Sequence, residues 1–315
     1  MPTSNFELHW HLANPTAPVI GKRTEMTQSC KKIALACFLT AVTIYSTNSS
    51  GQDVSASIVP ASGAYIGLGF GANSTQFNGQ QLQATGISTV SPAGTTGNAG
   101  GPPVSINMSG TNAIAPAIQA GYFQKFKDSS YLWGAKLSYS YMGGSTSTTD
   151  RILIPQFGTY PSGASFTGNA VATSYQKTIK NQISFIPYFG QSFDRSTIYF
   201  GIGPTVSQVD TKINNLIGFA DLNGVRTDVS GTPQNFTATQ WVYGGAAMLG
   251  GTYFFDSSWF VDFSYSYSMT QNKTSNYYST FNNPGSPNSY SGSLIGSSTG
   301  TASIQTLGLT MNKLF

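Results

Sequence analysis

A short turn motif occurs three times in this chain at similar intervals. The copies are Phe126–Ser130, Phe193–Ser196 and Phe255–Ser258, and in each an Asp precedes a Ser. Because Asp and Ser side chains bond nearby backbone N–H groups, each copy predicts a tight turn between two strands. The chain ends on another aromatic, Phe315, roughly where a fourth turn would begin. The Asp residues of the three predicted turns are Asp128, Asp194 and Asp256.

Eight segments with strand character flank these turns and alternate with longer polar segments. In 259–270 the odd positions hold Trp, Val, Phe, Tyr, Tyr and Met, whereas the even positions include Asp, Ser and Thr. A period of two is typical of a strand with one apolar face. A tilted strand needs about 9–11 residues to cross a membrane, and these segments are long enough. The predicted strands are 63–72, 114–124, 131–142, 181–192, 197–209, 239–255, 259–270 and 302–315.

The composition favours a membrane barrel over a soluble sandwich. Charged residues make up 8% of the chain, whereas soluble domains hold about 25%. The polar strand faces are mostly Ser, Gly and Thr, which fit the crowded interior of a small barrel. A soluble β-sandwich also alternates, but its polar face meets water and carries more charge. We therefore predict an all-β fold: an eight-stranded, antiparallel, transmembrane up-and-down β-barrel with short periplasmic turns and long extracellular loops.

Aromatic residues begin and end the apolar faces of two predicted strands. Tyr and Trp are enriched at both edges of a membrane, because their rings have one polar and one apolar side. The alternative is that aromatic residues simply favour strands. The predicted interfacial aromatics are Tyr131, Trp133, Tyr139, Tyr141, Trp259, Tyr265 and Tyr267.

The segments that join the other strand ends are long and rich in Ser, Thr, Gly, Asn and Pro. With an even number of strands and both termini inside, the tight turns face the periplasm and the long segments face outward. Such loops are where a barrel of this kind would bind a ligand, and they are equally consistent with spacers that bind nothing. The predicted loops are 73–113, 143–180, 210–238 and 271–301.

The N-terminal region has the pattern of an export signal. Residues 26–52 hold two lysines, then an apolar stretch, then small polar residues, which is the order found in a secretory signal peptide. A membrane anchor is the alternative, but the stretch is short for one. We interpret residues 1–25 as an upstream extension from a mis-assigned start, 53–62 as a short periplasmic leader and 63–315 as the barrel.

The exported part of the chain lacks the usual catalytic groups, since it contains no Cys, His or Glu after residue 52. Hydrolases built on membrane barrels use His with Ser or Asp to activate a nucleophile. Metal sites made of His or Cys are excluded, the carboxylates are not clustered, and no basic patch suits nucleic acid. We therefore predict a protein that is not an enzyme and has no cofactor, metal or nucleic-acid partner.

Two charged residues fall on predicted lumen faces deep within strands. Lys136 and Asp262 each lie a few residues from a periplasmic turn, on the third and seventh of the eight predicted strands. Buried charges need partners, so we expect the two side chains to meet as an ion pair that plugs the lumen. The alternative is that each faces pore water alone.

The turns, the segment Tyr65–Phe70 and the last strand together resemble the small eight-stranded outer-membrane barrels of the OmpA, OmpX and opacity-protein type. In that family an alternating apolar C-terminal strand ending in Phe resembles the signal read by the barrel-assembly machinery. Lys313 interrupts the pattern here, and a Lys at the rim can extend its amine to the interface. The matching residues are Leu307, Leu309, Met311 and Phe315.

This resemblance implies the outer membrane of a Gram-negative bacterium, with membrane lipid, lipopolysaccharide and the assembly machinery as partners. We expect no peptidoglycan-binding domain after the last strand, so an anchoring role does not carry over. Eight strands leave a lumen just filled by side chains. The expected function is therefore structural, or an interaction with a host or surface ligand through the loops. A narrow gated channel is the first alternative, and an adhesin is the second.

Overall fold

The computed structural model describes residues 57–163, 165–222, 224–285 and 287–315. These residues form a sheet in which every strand pairing is antiparallel. Within these ranges, no helix is long and apolar enough to cross a membrane. The predicted signal peptide, the upstream extension and the first residues of the leader lie outside the described residues.

The sheet contains twelve strands. They are β1 Ser62–Ser91, β2 Thr95–Gly100, β3 Val104–Ile106, β4 Thr111–Lys125, β5 Tyr131–Thr159, β6 Ser165–Ser192, β7 Ser196–Leu222, β8 Val225–Asp228, β9 Gln234–Phe254, β10 Trp259–Thr270, β11 Lys273–Asn283 and β12 Ser289–Leu314.

The sheet closes on itself because β1 pairs with β12 from Tyr65–Leu314 to Ser91–Ser289. Starting at β1, the ladder runs through β4, β5, β6, β7, β9, β10 and β12 and returns to β1. The remaining strands β2, β3, β8 and β11 pair onto these walls at one end. The result is a closed antiparallel barrel, in which each strand side chain points either into the lumen or outward.

The prediction of four long loops is wrong at the end of the barrel where β2, β3, β8 and β11 lie. β1 continues for 30 residues and β5 for 29, so most of 73–113 and 143–180 is strand. Most of 210–238 and 271–301 is strand as well. The physical reason is that these segments also alternate, with apolar side chains such as Ile154 and Leu294 turned inward to form a core. Polar residues occur on both faces of these segments, but enough apolar residues point inward to form the core.

Irregularities in the ladders divide the barrel into two parts. Register shifts occur at Asn78–Gln81, Tyr141–Ser145 and Ile179–Asn181. A bulge inserts an extra residue and so exchanges the inward and outward positions of a strand. In β1, for example, Phe77 is buried before the shift, and Gln80 and Leu82 are buried after it. We call the part that contains the tight turns the lower barrel and the other part the upper barrel.

The three predicted turns join the strands of the lower barrel. Asp256 Oδ1 accepts hydrogen bonds from the N–H groups of Ser258 at 2.6 Å and Trp259 at 2.8 Å. In the first turn Asp128 instead adopts a left-handed conformation, with φ of 54°. There the hydroxyl of Ser129 accepts a hydrogen bond from the N–H of Tyr131 at 3.1 Å. One sequence motif is therefore stabilised in two different ways.

Side chains fill the barrel along its described length. The upper barrel encloses an apolar cluster that includes Ile154, Tyr175 and Phe236. A second cluster, which includes Phe77 and Ile304, lies at the junction of the two parts. A third, which includes Leu132, Phe254, Phe260 and Leu314, lies at the lower end. Burial of this surface stabilises the closed form.

The packing of one lumen tyrosine depends on a glycine of the neighbouring strand. A Cβ atom added at Gly250 would lie 2.3 Å from the hydroxyl oxygen of Tyr199. We predict that Gly250→Ala displaces Tyr199 and lowers the free energy of unfolding by about 1–3 kcal/mol, the usual cost of overpacking. The matched control is Gly245→Ala on the same strand, where the nearest atom would be 3.9 Å away. Denaturant unfolding in detergent measures both, and equal effects would contradict the argument.

Candidate functional site

The most polar cluster within the lower barrel is built around Lys136 of β5 and Asp262 of β10. Each residue is only 2% exposed, and the Lys136 ammonium forms an ion pair with Oδ2 of Asp262. β5 and β10 lie on opposite walls of the closed ladder, so the pair crosses the lumen. We call this pair and the groups bonded to it the polar plug.

Tyr199 of β7 joins the two charges. The Lys136 ammonium donates a hydrogen bond to the Tyr199 hydroxyl at 2.6 Å, and that hydroxyl donates to Asp262 Oδ1 at 2.7 Å. The ammonium also lies 4.7 Å from the centre of the Tyr199 ring. Both carboxylate oxygens of Asp262 therefore have partners, as a buried charge requires.

The polar plug also includes Gln119 of β4. Its amide nitrogen lies 3.1 Å from Asp262 Oδ2, 2.7 Å from the hydroxyl of Thr310 and 2.7 Å from Oδ1 of Asn312. The two N–H groups of the amide are shared among these three acceptors. Side chains from β4, β5, β7, β10 and β12 thus converge at one level of the lumen. Gln119, Tyr199, Thr310 and Asn312 were not predicted, because the pairing of strands around the ring is needed to bring them together.

The first described residues of the chain cover the lower mouth of the barrel. Val59 is 3% exposed and packs in the apolar cluster that holds Phe254 and Phe260. The N–H of Ile58 donates to the carbonyl oxygen of Asp194 at 2.8 Å, and the Lys125 ammonium donates to the carbonyl oxygen of Val59 at 2.8 Å. Asp194 therefore holds this leader segment through its backbone.

The outward face of the lower barrel is apolar between two aromatic rims. In β7 the exposed or half-exposed residues from 198 to 206 are Ile, Phe, Ile, Gly, Pro and Val. Exposed rings flank this band at both ends, including Phe189 and Tyr253 below, and Trp241 and Tyr243 above. All seven aromatics singled out in the sequence are outward and exposed: Tyr131, Trp133, Tyr139, Tyr141, Trp259, Tyr265 and Tyr267.

The C-terminal strand places its alternating apolar residues on this outward face. Leu307, Leu309 and Met311 are exposed, and Phe315 is exposed beyond the strand, where its N–H donates to Ala64 O at 2.8 Å. The ammonium of Lys313 lies 5.1 Å from the ring centre of Trp259, an arrangement that suits a cation–π interaction.

Comparison with known proteins gives no family assignment. No family model matches the chain, and no curated protein matches its sequence. Among solved structures, the outer membrane protein OprG from Pseudomonas aeruginosa aligns over 82% of this chain and 98% of its own length, with 9% identity and a TM-score of 0.35. Ail, the attachment invasion locus protein of Yersinia pestis, aligns over 76% and 98%, with 10% identity and a TM-score of 0.27. Neisserial surface protein A aligns over 78% and 98%, with 11% identity and a TM-score of 0.22.

The polar plug predicts strong coupling between its two charges. Lys136→Met or Asp262→Leu alone should lower the free energy of unfolding by about 3–5 kcal/mol, because each change leaves the other buried group without its charged partner. The double variant should lose much less than the sum of the two. Denaturant unfolding of the four proteins in detergent gives the coupling energy.

The control for this cycle is Lys180→Met, which removes one partner of the ion pair between the Lys180 ammonium and Asp210 Oδ2, 2.5 Å apart. Lys180 is 47% exposed, and the 5% exposed Asp210 keeps its hydrogen bond from the Thr239 hydroxyl, so a smaller effect than at the polar plug is expected. Additive effects of Lys136→Met and Asp262→Leu would contradict the role given to the polar plug.

Proposed function

We propose that this chain is an integral protein of the Gram-negative outer membrane, with the lower barrel in the bilayer and the upper barrel outside the cell. The support is the uncharged outward band of the lower barrel, which is bounded by aromatic rims as in membrane-spanning barrels. In this proposal eight strands cross the membrane: β1, β4, β5, β6, β7, β9, β10 and β12.

Several of these strands, such as β1, β5 and β6, are much longer than a membrane requires. A tilted strand gains about 2.5 Å of height per residue, so the 30 residues of β1 rise about 75 Å. The apolar band of such barrels is about 25 Å tall. Most of the wall therefore lies beyond the bilayer in this proposal. The surface offered to the outside is a packed β-structure with short connections.

The observation that carries the functional proposal is the filled lumen. The polar plug and the apolar clusters above and below it leave no wide aqueous path through the described barrel. A general diffusion pore needs such a path. We therefore assign the protein a non-enzymatic role as a structural or surface-interaction barrel, with a host or surface ligand bound by the upper wall.

The outer face of the upper barrel suits an interaction surface. Cross-strand threonine pairs recur on it, with hydroxyl oxygens 2.9 Å apart in Thr89–Thr96 and 2.8 Å apart in Thr274–Thr299. Exposed rings such as Phe157 and Tyr278 stand among these polar residues. A rigid wall of this kind binds a partner without the entropy cost of ordering a loop. These features support the adhesin hypothesis, in which the binding surface is the outer face of the upper barrel and not a set of loops.

A narrow gated channel remains the second candidate, because a cavity lies next to the polar plug. Its volume is about 310 Å³ including space open to solvent, its enclosed part holds only about one water-sized group, and Tyr65, Tyr188, Phe254 and Asp262 border it. If the Lys136–Asp262 pair separated, polar groups would line a path from this cavity toward the junction. Conduction would then depend on the charge state and geometry of the pair.

Planar-bilayer recording distinguishes these two candidates. For the wild-type protein we expect no reproducible single-channel steps, since the plug and its flanking clusters close the lumen. Under the structural assignment, removal of both charged side chains by Lys136→Ala and Asp262→Ala should also give no steps, because the apolar clusters above and below the plug remain. Steps that appear only in this double variant would favour the gated channel. Regular steps from the wild-type protein would overturn the structural assignment. Heat-modifiable gel mobility verifies that each sample is a folded barrel.

Deletion of the upper barrel tests the division into two parts. We predict that joint replacement of all four upper segments by short turns leaves a lower barrel that still inserts into the membrane and resists detergent. Removal of one segment alone should be more disruptive, because it opens the shared upper core. Cell fractionation and gel mobility measure both, and cell attachment by the joint variant tests the adhesin hypothesis. The segments are 79–110, 143–180, 210–238 and 271–301.

A further inference from the structure

The ladder of the barrel wall is interrupted just above the upper aromatic rim. Pairing of β9 with β10 ends at Gly244–Thr270, and among the described strands β11 pairs with β12 alone. The stretch of β9 before Gly244 therefore has β7 on one side and no backbone ladder on the other. Side chains bridge the interruption farther up, where the hydroxyl of Ser279 donates to Gln234 Oε1 at 2.7 Å.

A cleft opens to solvent at this interruption. Its volume is about 340 Å³ including the solvent-filled mouth, and its enclosed part holds only one or two water-sized groups. Two lysines and several neutral polar side chains line it, and its other lining residues are apolar or glycine. The polar lining residues used below are Lys177, Lys273, Thr211, Thr270, Gln240 and Ser275.

Lys177 of β6 is the unusual member of this set. It is only 5% exposed, yet its ammonium makes no ion pair or hydrogen bond with any residue that the structure describes. Burial lowers the pKa of Lys177 to about 8, so the side chain still carries a proton at neutral pH. A lysine that is largely buried and has no charged partner destabilises a fold, and its ammonium is left to the cleft that it lines.

No carboxylate lines the cleft. Asp210 precedes the lining residue Thr211, but its two oxygens are already engaged. Oδ2 pairs with the Lys180 ammonium, and Oδ1 accepts a hydrogen bond from the Thr239 hydroxyl at 2.8 Å. Lys177 and Lys273 thus give the cleft a net positive charge, surrounded by hydroxyl and amide donors.

We propose that this cleft binds a phosphate group, with Lys177 as the buried cationic ligand and Lys273 as a second cation at the mouth. Hydroxyls of Thr270 and Ser275 and the amide of Gln240 are the hydrogen-bond donors available beside them. The small enclosed volume accepts one or two oxygens of the phosphate, while the rest of the group and any larger body stay in the open mouth. The phosphate is either a free anion or the headgroup of a lipid.

The position of the cleft makes both sources accessible. Its lining residues Val242 and Thr270 adjoin the exposed rim residues Tyr243 and Met269 in sequence. If the lower barrel spans the outer membrane as proposed, the cleft lies level with the phosphates of the outer leaflet. Binding of free phosphate does not depend on that assignment, so the two proposals fail separately.

The test is thermal unfolding of the full chain in a zwitterionic detergent, with inorganic phosphate as the first probe. At pH 7, phosphate should raise the unfolding midpoint of the wild type, with a Kd that Lys177→Met weakens at least tenfold. Lys273→Gln, a change at the exposed mouth, should weaken it several-fold and keeps the test valid if Lys177→Met does not fold. Lys212→Met alters an exposed lysine next to Thr211 in sequence that does not line the cleft, and should leave the Kd unchanged.

The pH dependence supplies an independent readout. The folded-state pKa of Lys177, about 8, is lower than the value of about 10.4 in an unfolded chain, so the unfolded state binds more protons between these values. Without phosphate, stability due to this group should therefore rise from pH 8 to 10.5, and Lys177→Met should remove the rise. The phosphate effect should vanish at pH 10, where Lys177 is neutral.

Vesicles with and without phosphorylated lipid A distinguish the two sources. A midpoint raised by phosphorylated lipid A, but not by its dephosphorylated form, and lost in Lys177→Met identifies a lipid headgroup. A response to inorganic phosphate alone identifies a soluble anion. The proposal would be overturned if the wild type responds to neither probe. It would also be overturned if Lys177→Met and Lys273→Gln both respond as strongly as the wild type.

Discussion

The pairing of β1 with β12 is the constraint on which the rest of this structure depends. It runs the full length of β1 and joins the first and last strands, so the sheet has an inside and an outside at every level. Closure also satisfies the backbone N–H and C=O groups of both terminal strands, which is a requirement for any sheet surrounded by lipid. Once the ring is closed, the alternation of each strand determines which side chains fill the lumen and which face the surroundings.

The lower and upper barrels differ in which residue types point outward and which point into the lumen. Below the register shifts, the outward residues are aliphatic and aromatic, and the lumen combines apolar clusters with buried charge. Above them, threonine pairs and scattered exposed apolar residues share the outward face, and an extensive apolar core lies inside. Register shifts near Asn78, Tyr141 and Ile179 lie between these parts, and a fourth, at Ile213–Leu216, lies within the upper barrel. The change of solvent that we propose at this height explains why the pattern changes there.

The sequence was sufficient for features that depend on local pattern. The turns around Asp128, Asp194 and Asp256, the lower strands, and the lumen-facing positions of Lys136 and Asp262 all follow from spacing within one or two strands. The strands of the upper barrel were not predicted, because the composition of these segments indicates loops. The alternation of apolar residues in segments such as Ile152-x-Ile154 and Tyr277–Phe281 indicates strands instead. The partners Tyr199 and Gln119, and the cleft beside Lys177, require strand order and register around the whole ring. No local signal contains that information.

Lys136 and Lys177 are both largely buried, but their surroundings differ. Lys136 has a carboxylate and a phenol hydroxyl as partners, and the strands that hold them are locked in a continuous ladder. Lys177 lies beside the interruption between β9 and β11, where hydroxyls and amides surround it and no described carboxylate is free to pair with it. A lysine retained at such a site destabilises the empty protein. Its positive charge is therefore better explained by a ligand that supplies the missing negative charge than by the stability of the fold.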